Sequence, residues 1–152
     1  MCSSDLPANR GRIGNTGFIV GERGVLAIDS GVSWRQGQAL LAALRSHTDR
    51  PLAALLLTHV RQEYVFGAAA FQQAGVPVYM HPAAARLMAA RCENCLKTLR
   101  QLLGIDEEEA TRVIVPDHLL AAEPPAGALL GARIGRPLRI RSEEHTSELQ
   151  SP

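Results

Sequence analysis

His59 and Glu63 are the side chains whose types and spacing could hold a cation. They lie in Thr58-His59-Val60-Arg61-Gln62-Glu63-Tyr64-Val65-Phe66-Gly67, directly after the apolar run Leu52 to Leu57. A loop leaving the end of a strand can turn several side chains toward one point. Zinc asks for about four N, O or S donors there, one position being left to water in a catalytic site, and it lowers the pKa of that water to about 7. Arg61 cannot ligate, because it is always protonated and has no acceptor, and Tyr64 is a poor ligand near neutrality since a phenol titrates near pH 10. His59 and Glu63 remain, and two donors do not make a tight zinc site. Cys92-Glu93-Asn94-Cys95 is a second constellation, a Cys-x-x-Cys pair of the kind that is redox-active or forms half of a metal site. A thioredoxin-like pair would sit at a helix start just after a strand, whereas this one falls well inside a predicted helix. A structural pair is therefore the competing reading for Cys92 and Cys95.

The elements that must position these residues follow from local pattern. Phe18 to Val20, the turn Gly21-Glu22-Arg23-Gly24 and Val25 to Ile28 read as a hairpin. Ser33 is a good N-cap for a helix running to about Ser46, with Leu40, Leu41 and Leu44 at helical spacing, and Asp49-Arg50-Pro51 breaks it. Leu52 to Leu57 is apolar without alternation, as a strand buried on both faces would be. Ala68 to Phe71 suits a short helix and Val76 to Met80 another buried strand. Pro82 near the start and Gly104 past the end bound a long helix from Ala83 to Leu103, with Leu87, Met88, Cys95, Leu99 and Leu102 on an apolar face. Asp106 to Glu109 resembles a charged first turn, Val113 to Pro116 reads as a last strand, and Pro137 to Ile140 could begin another. The alternation of strands and helices implies a layered α/β (α+β) arrangement with crossover connections.

In their order, these segments resemble the metallo-β-lactamase fold superfamily. In that family the loop reads Thr-His-x-His-x-Asp-His-x-x-Gly after a strand, and an earlier strand ends in Asp-x-Gly. Thr58, His59 and Gly67 match; Arg61, Glu63 and Tyr64 stand where the family has His, Asp and His. Asn9 to Gly21, Ile28-Asp29-Ser30-Gly31, the Thr58 loop with Phe66 to Phe71, and Arg91 to Cys95 are similar to the zinc metallohydrolases of quinoprotein relay systems. The resemblance implies an αββα sandwich of which this chain carries the first half, one sheet face being left uncovered. It implies zinc as cofactor, with His59 as a ligand, Glu63 as a stand-in for the family's acid, and later ligands beyond Ile140. Asp29 would reach the loop by a hydrogen bond from a strand end, or else cap the turn before Gly31. The guanidinium of Arg61 could pair with Glu63 where a metal would have sat.

Three functions are then open. The intact parent could be a metal-dependent hydrolase of an ester, amide or thioester, inactive as this fragment. It could instead be a non-catalytic relative serving as a binding or accessory protein in a quinoprotein-linked redox pathway. Or Cys92 and Cys95 could carry a thiol function of their own. The expected partners are a small-molecule substrate or a periplasmic redox protein, in the periplasm or cytoplasm of a bacterium. His81 and His118 read as surface or capping residues, His47 as solvated, and Trp34 as a packing residue.

The ends and the composition bound these readings. Residues 1–6 and 141–152 resemble translated sequencing adapter, so they are set aside like tags and fusion scars, leaving 7–140 as the partial domain. The 46% hydrophobic and 20% charged residues are those of a folded globular domain. Between Pro7 and Ile140 there are 15 Lys and Arg against 11 Asp and Glu, a net of +4 scattered along the chain. That distribution suggests no nucleic-acid partner, and no apolar run approaches the roughly 20 residues of a membrane span.

Overall fold

The computed structural model describes residues 14–103, 111–120 and 126–140. The charged turn expected at Asp106 to Glu109, and both adapter-like ends, lie outside the described residues. The elements in chain order are β1 (Gly17–Val20), β2 (Val25–Ile28), α1 (Trp34–His47), β3 (Leu52–Leu57), α2 (Gln62–Val65), α3 (Ala68–Gln73), β4 (Val78–Met80), α4 (Pro82–Leu103), β5 (His118–Leu119) and α5 (Ala126–Ile134). One sheet holds the strands in the order β1-β2-β3-β4-β5. The hairpin β1–β2 is antiparallel and every later pair is parallel. This is the layered α/β architecture that the sequence implies.

Side chains on a strand alternate between faces, and here both faces are buried. Val25, Ala27, Leu55, Leu57, Val78 and Met80 enter one core, where α1 to α4 contribute Leu41, Leu44, Val65, Phe71, Met88, Cys92, Leu96 and Leu99 and Phe66 joins from the turn between α2 and α3. Their alternates Leu26, Ala54, Leu56 and Tyr79 enter a second core with Leu130 and Ile134 of α5. A strand covered on both sides has no polar face to alternate with, which is why Leu52 to Leu57 reads as a continuous apolar run. Consecutive parallel strands added in one direction, each by a right-handed crossover, place their connecting helices on the same face. The first core is accordingly the larger.

Helix ends are set by the signals in the sequence. Ser33 has extended backbone and its hydroxyl accepts from the Gln36 N–H at 3.1 Å, starting α1. Pro82 opens α4, where the missing N–H costs nothing, and His81 Nδ1 accepts from the Ala83 N–H at 3.0 Å. That is the capping role expected of His81.

Four expectations need correction. The second sheet face is not left bare, because α5 packs across it. Gly127 and Gly131 each lower helix propensity by about 1 kcal/mol, so Ala126 to Ile134 gives little helical signal. Their missing side chains let the segment 136–140 lie on the helix: a β-carbon at Gly127 would sit 2.5 Å from the Leu138 carbonyl oxygen, and one at Gly131 2.7 Å from that of Arg136. Pro137 to Ile140 consequently runs over α5 and forms no strand. Val113 to Pro116 is not a strand either; Val115 is 82% exposed. Pro116 has no N–H for a ladder, and Asp117 accepts from the Val78 N–H at 2.7 Å, so pairing with β4 begins only at His118. On α4 the buried residues are Met88, Cys92, Leu96 and Leu99, while Leu87, Cys95 and Leu102 are exposed. The spacing 88-92-96-99 follows the helix stripe; Leu87, Cys95 and Leu102 lie on its flank. No helix among the described residues is long and apolar enough to cross a membrane.

Candidate functional site

β2 ends at Ile28, and the chain turns with Asp29 at φ 62° and Gly31 at φ 87°. Left-handed backbone is unusual for a side chain other than Asn, Asp or Gly, and it directs the Asp29 carboxylate sideways to the neighbouring strand end. There Oδ1 accepts from the Thr58 N–H at 2.8 Å and Oδ2 from the Thr58 hydroxyl at 2.6 Å. Of the two roles open to Asp29, reaching the loop is the one the geometry shows. Ser30 adds a second tie, since its N–H and its hydroxyl both donate to the Tyr64 carbonyl, at 2.8 and 2.6 Å. The turn after β2 therefore holds both ends of the segment from Thr58 to Tyr64.

The chain of donors fixes His59. A carboxylate has no hydrogen to give, so with Asp29 ionised the one Thr58 hydroxyl proton points at it. The Thr58 oxygen, 2.7 Å from His59 Nδ1, must then accept, and His59 carries its proton on Nδ1. Nε2 is the ring nitrogen left outside this chain of hydrogen bonds, on a residue that is exposed. Burial pushes the Asp29 carboxyl above its ordinary 3.8, against the Thr58 hydrogen bonds and nearby His59, which pull it down.

The rest of the loop does not gather further donors. Arg61 Nη1 stands 3.9 Å from Glu63 Oε1, with side chains 58% and 11% exposed. The pairing expected between them is present. Tyr64 lies beside His59, ring centroids 5.5 Å apart, and Gly14 packs on both Tyr64 and Glu63, leaving 2.6 and 2.7 Å between an added β-carbon and their atoms. Among the described residues no three His, Cys, Asp or Glu side chains come together in a way that could hold a metal ion. With two donors, one of them facing a guanidinium, this loop does not fit the tetrahedral site that zinc requires.

The other candidates lie elsewhere. Cys92 is buried and Cys95 exposed, and both are free thiols. Burial, helped by Cys95 and Glu93, pushes the Cys92 thiol up to about 11, which leaves little of the reactive thiolate near neutrality. Peptide-mapped alkylation is expected to label Cys95 in the native chain and Cys92 only after denaturant opens the helix packing; equal native labelling would contradict this placement. His118 stacks on Tyr79 at 4.7 Å, with the Arg133 guanidinium 5.8 Å from the same ring. His47 is exposed, 5.6 Å from the Phe18 ring. Trp34 packs against the first core and donates from Nε1 to Gln73 at 2.8 Å.

Two functional positions escape sequence reasoning. Thr58 is legible as part of the loop pattern, but its place as the bridge between Asp29 and His59 depends on the parallel alignment of β2 and β3. Ser30 gives no signal at all, because a Ser after a strand is ordinary turn chemistry.

Residues 9–139 match the sequence model described as the Metallo-beta-lactamase superfamily. A metallo-beta-lactamase from Pontibacter korlensis is similar in structure, with a TM-score of 0.53 and 21% identity, over 69% of this chain and 40% of that one. One from Hirschia baltica gives a TM-score of 0.53 and 16% identity, over 70% of this chain and 39% of the other. At these identities the likeness concerns the fold. The chain spans about two fifths of the length of those structures. No curated protein sequence matches it significantly.

Proposed function

Because the chain belongs to the metallo-beta-lactamase superfamily, we propose that it is part of a hydrolase-type scaffold whose loop now serves binding in place of zinc-dependent hydrolysis. The observation that carries this reading is the Arg61–Glu63 pair in the middle of the loop. A guanidinium standing 3.9 Å from the one carboxylate on the loop opposes a second cation there by charge and competes with it for Glu63. What survives of the site is its frame: Asp29 holds Thr58, Thr58 orients His59, and Ser30 holds the Tyr64 carbonyl. Such a frame positions a ligand without supplying a nucleophile. The order of motifs, similar to that of the quinoprotein relay hydrolases, supports an accessory role in a quinoprotein-linked redox pathway, with a small molecule or a periplasmic redox protein as partner.

A second reading has one observation in its favour. His59 Nε2 lies outside the Thr58 hydrogen bond on an exposed residue, and the chain spans only two fifths of its structural relatives, so an intact parent could add donors and act as a zinc-dependent hydrolase of an ester, amide or thioester. The test is made on the parent protein, loaded with zinc, dialysed, and assayed against ester, amide and thioester substrates with and without chelator. Zinc far below one ion per chain and no chelator-sensitive turnover are expected. Stoichiometric zinc that survives dialysis, together with hydrolysis lost on chelation, would establish the second reading.

A further inference from the structure

At the other end of the sheet from the Thr58 loop, three segments border an open cavity of about 600 Å³, within the size range of small-molecule pockets. β2 and β3 are parallel, so the turn that precedes β2 and the loop that follows β3 lie at opposite ends of the sheet. The walls are that turn at Arg23, one side of α5 and the segment 136–140. Backbone ties them together. The Arg23 and Gly24 N–H groups donate to the Ile134 carbonyl at 2.8 and 3.2 Å, which closes the turn on the C-terminus of α5. Arg136 Nη1 donates to the Val20 carbonyl at 3.0 Å, and the segment it begins is seated on Gly127 and Gly131. The concavity is therefore held by the fold before any ligand arrives.

Arg23, Arg136 and Arg139 line this cavity, and no Asp or Glu does. The Arg23 side chain lies along Gly135, where an added β-carbon would stand 3.1 Å from its Cγ and 3.3 Å from its Nε. Among the described residues none of the three arginines pairs with a carboxylate. A concavity lined by one sign of charge focuses the field and concentrates counter-ions. The remaining walls are apolar, with Ala128, Ala132, Pro137, Leu138 and Ile140. A guanidinium both forks an oxyanion and stacks on an aromatic face. We propose that this cavity binds an organic phosphate with an aromatic body, the phosphate meeting Arg23 and Arg139 and the ring lying on the alanine side of α5. Three positive charges without a carboxylate suit a doubly charged phosphate better than a singly charged carboxylate ligand.

The probe is phenyl phosphate, titrated into the full chain by calorimetry, with inorganic phosphate and phenol as its two halves. Saturable binding is expected, about tenfold or more tighter than that of either half, since ring burial and charge pairing add. Arg23→Gln and Arg139→Gln should each weaken it about tenfold, the scale of one charge-assisted hydrogen bond. Ala132→Phe places a bulky side chain at an exposed position of the cavity wall and should abolish it. Arg91→Gln, on α4 across the sheet from α5, should leave it unchanged. The lack of saturable binding overturns the proposal, and so does inorganic phosphate that binds as tightly as phenyl phosphate, which is the mark of a bare charge patch. Binding that ignores Ala132→Phe overturns it as well. Should Arg23→Gln fail to fold, Arg139→Gln decides, because the Arg139 side chain makes no hydrogen bond among the described residues.

Discussion

Replacing Gly67 with alanine is expected to leave little folded protein at 25 °C. The backbone of Gly67 lies against the Ser30 carbonyl so closely that a β-carbon would overlap its oxygen, with the Ser30 carbonyl carbon at 2.8 Å and the Ser33 oxygen at 3.0 Å. These are backbone atoms, and none can swing aside as a side-chain end could. The Gly67 N–H also donates to the Gly31 carbonyl at 3.1 Å, and the Gly67 carbonyl in turn abuts Gly37 of α1. Admitting one methyl group means separating the turn after β2 from the start of α3 and tilting α1 away. Overpacking of an adaptable core costs about 1–3 kcal/mol; with backbone on every side the cost here is expected above that range, about 4 kcal/mol or more. Urea unfolding followed by circular dichroism checks this. A loss below about 1 kcal/mol would mean that the contact opens easily. The same change at Gly17, whose β-carbon would meet nothing within 4 Å, is expected to be nearly neutral.

Asp29 is the second position of large effect, and its variants separate stability from hydrogen-bond direction. Asp29→Ala strips the acceptor from both Thr58 donors, and since Thr58 is itself exposed and water can take up part of the loss, about 1–3 kcal/mol is expected. The left-handed backbone adds to it, since alanine bears φ 62° poorly. Asp29→Asn keeps the shape and tolerates that φ, yet reverses one bond. The new amide donates to the Thr58 oxygen, the Thr58 hydroxyl turns to donate to His59 Nδ1, and the imidazole proton moves to Nε2. Nitrogen chemical shifts of the His59 ring will report this exchange, and an unchanged tautomer would refute the relay. The acid itself also imposes a pH dependence. Its folded pKa lies above 3.8, so its contribution to stability is complete below 3.8 and declines as pH rises through the folded value. Asp29→Asn is expected to remove that limb of the stability profile.

How much of this was legible in the sequence depends on whether the determining contact is local. The α1 start at Ser33, the Pro82 start of α4 and the buried strand Leu52–Leu57 rest on neighbouring residues, and each appears where local chemistry places it. The strand expected at Val113 failed because Asp117, four residues on, takes the Val78 N–H and sets the register. Helix α5 was hidden because glycines that depress helix formation in isolation are useful only once another segment lies on them. On α4 the apolar face lies one flank away from Leu87, Cys95 and Leu102, whose spacings of eight and seven residues imitate a buried stripe. At the loop the candidate donors His59 and Glu63 were legible as residue types. That Arg61 and Glu63 stand as a pair was open in the sequence, and whether the turn after β2 ties to the loop depends on packing between segments about thirty residues apart.

The consecutive strand order has a consequence for synthesis. No strand waits for a later one to be inserted between it and its predecessor, so the sheet can extend from one edge as the chain leaves the ribosome, in keeping with the vectorial folding open to domains built from near-neighbour contacts. Every residue of the hydrogen-bonded frame, from Asp29 to Tyr64, lies in the turn after β2, the loop after β3 or the short helix α2. All of the residues that make these hydrogen bonds are therefore translated before α4, and the long helix packs against a loop whose partners are already present.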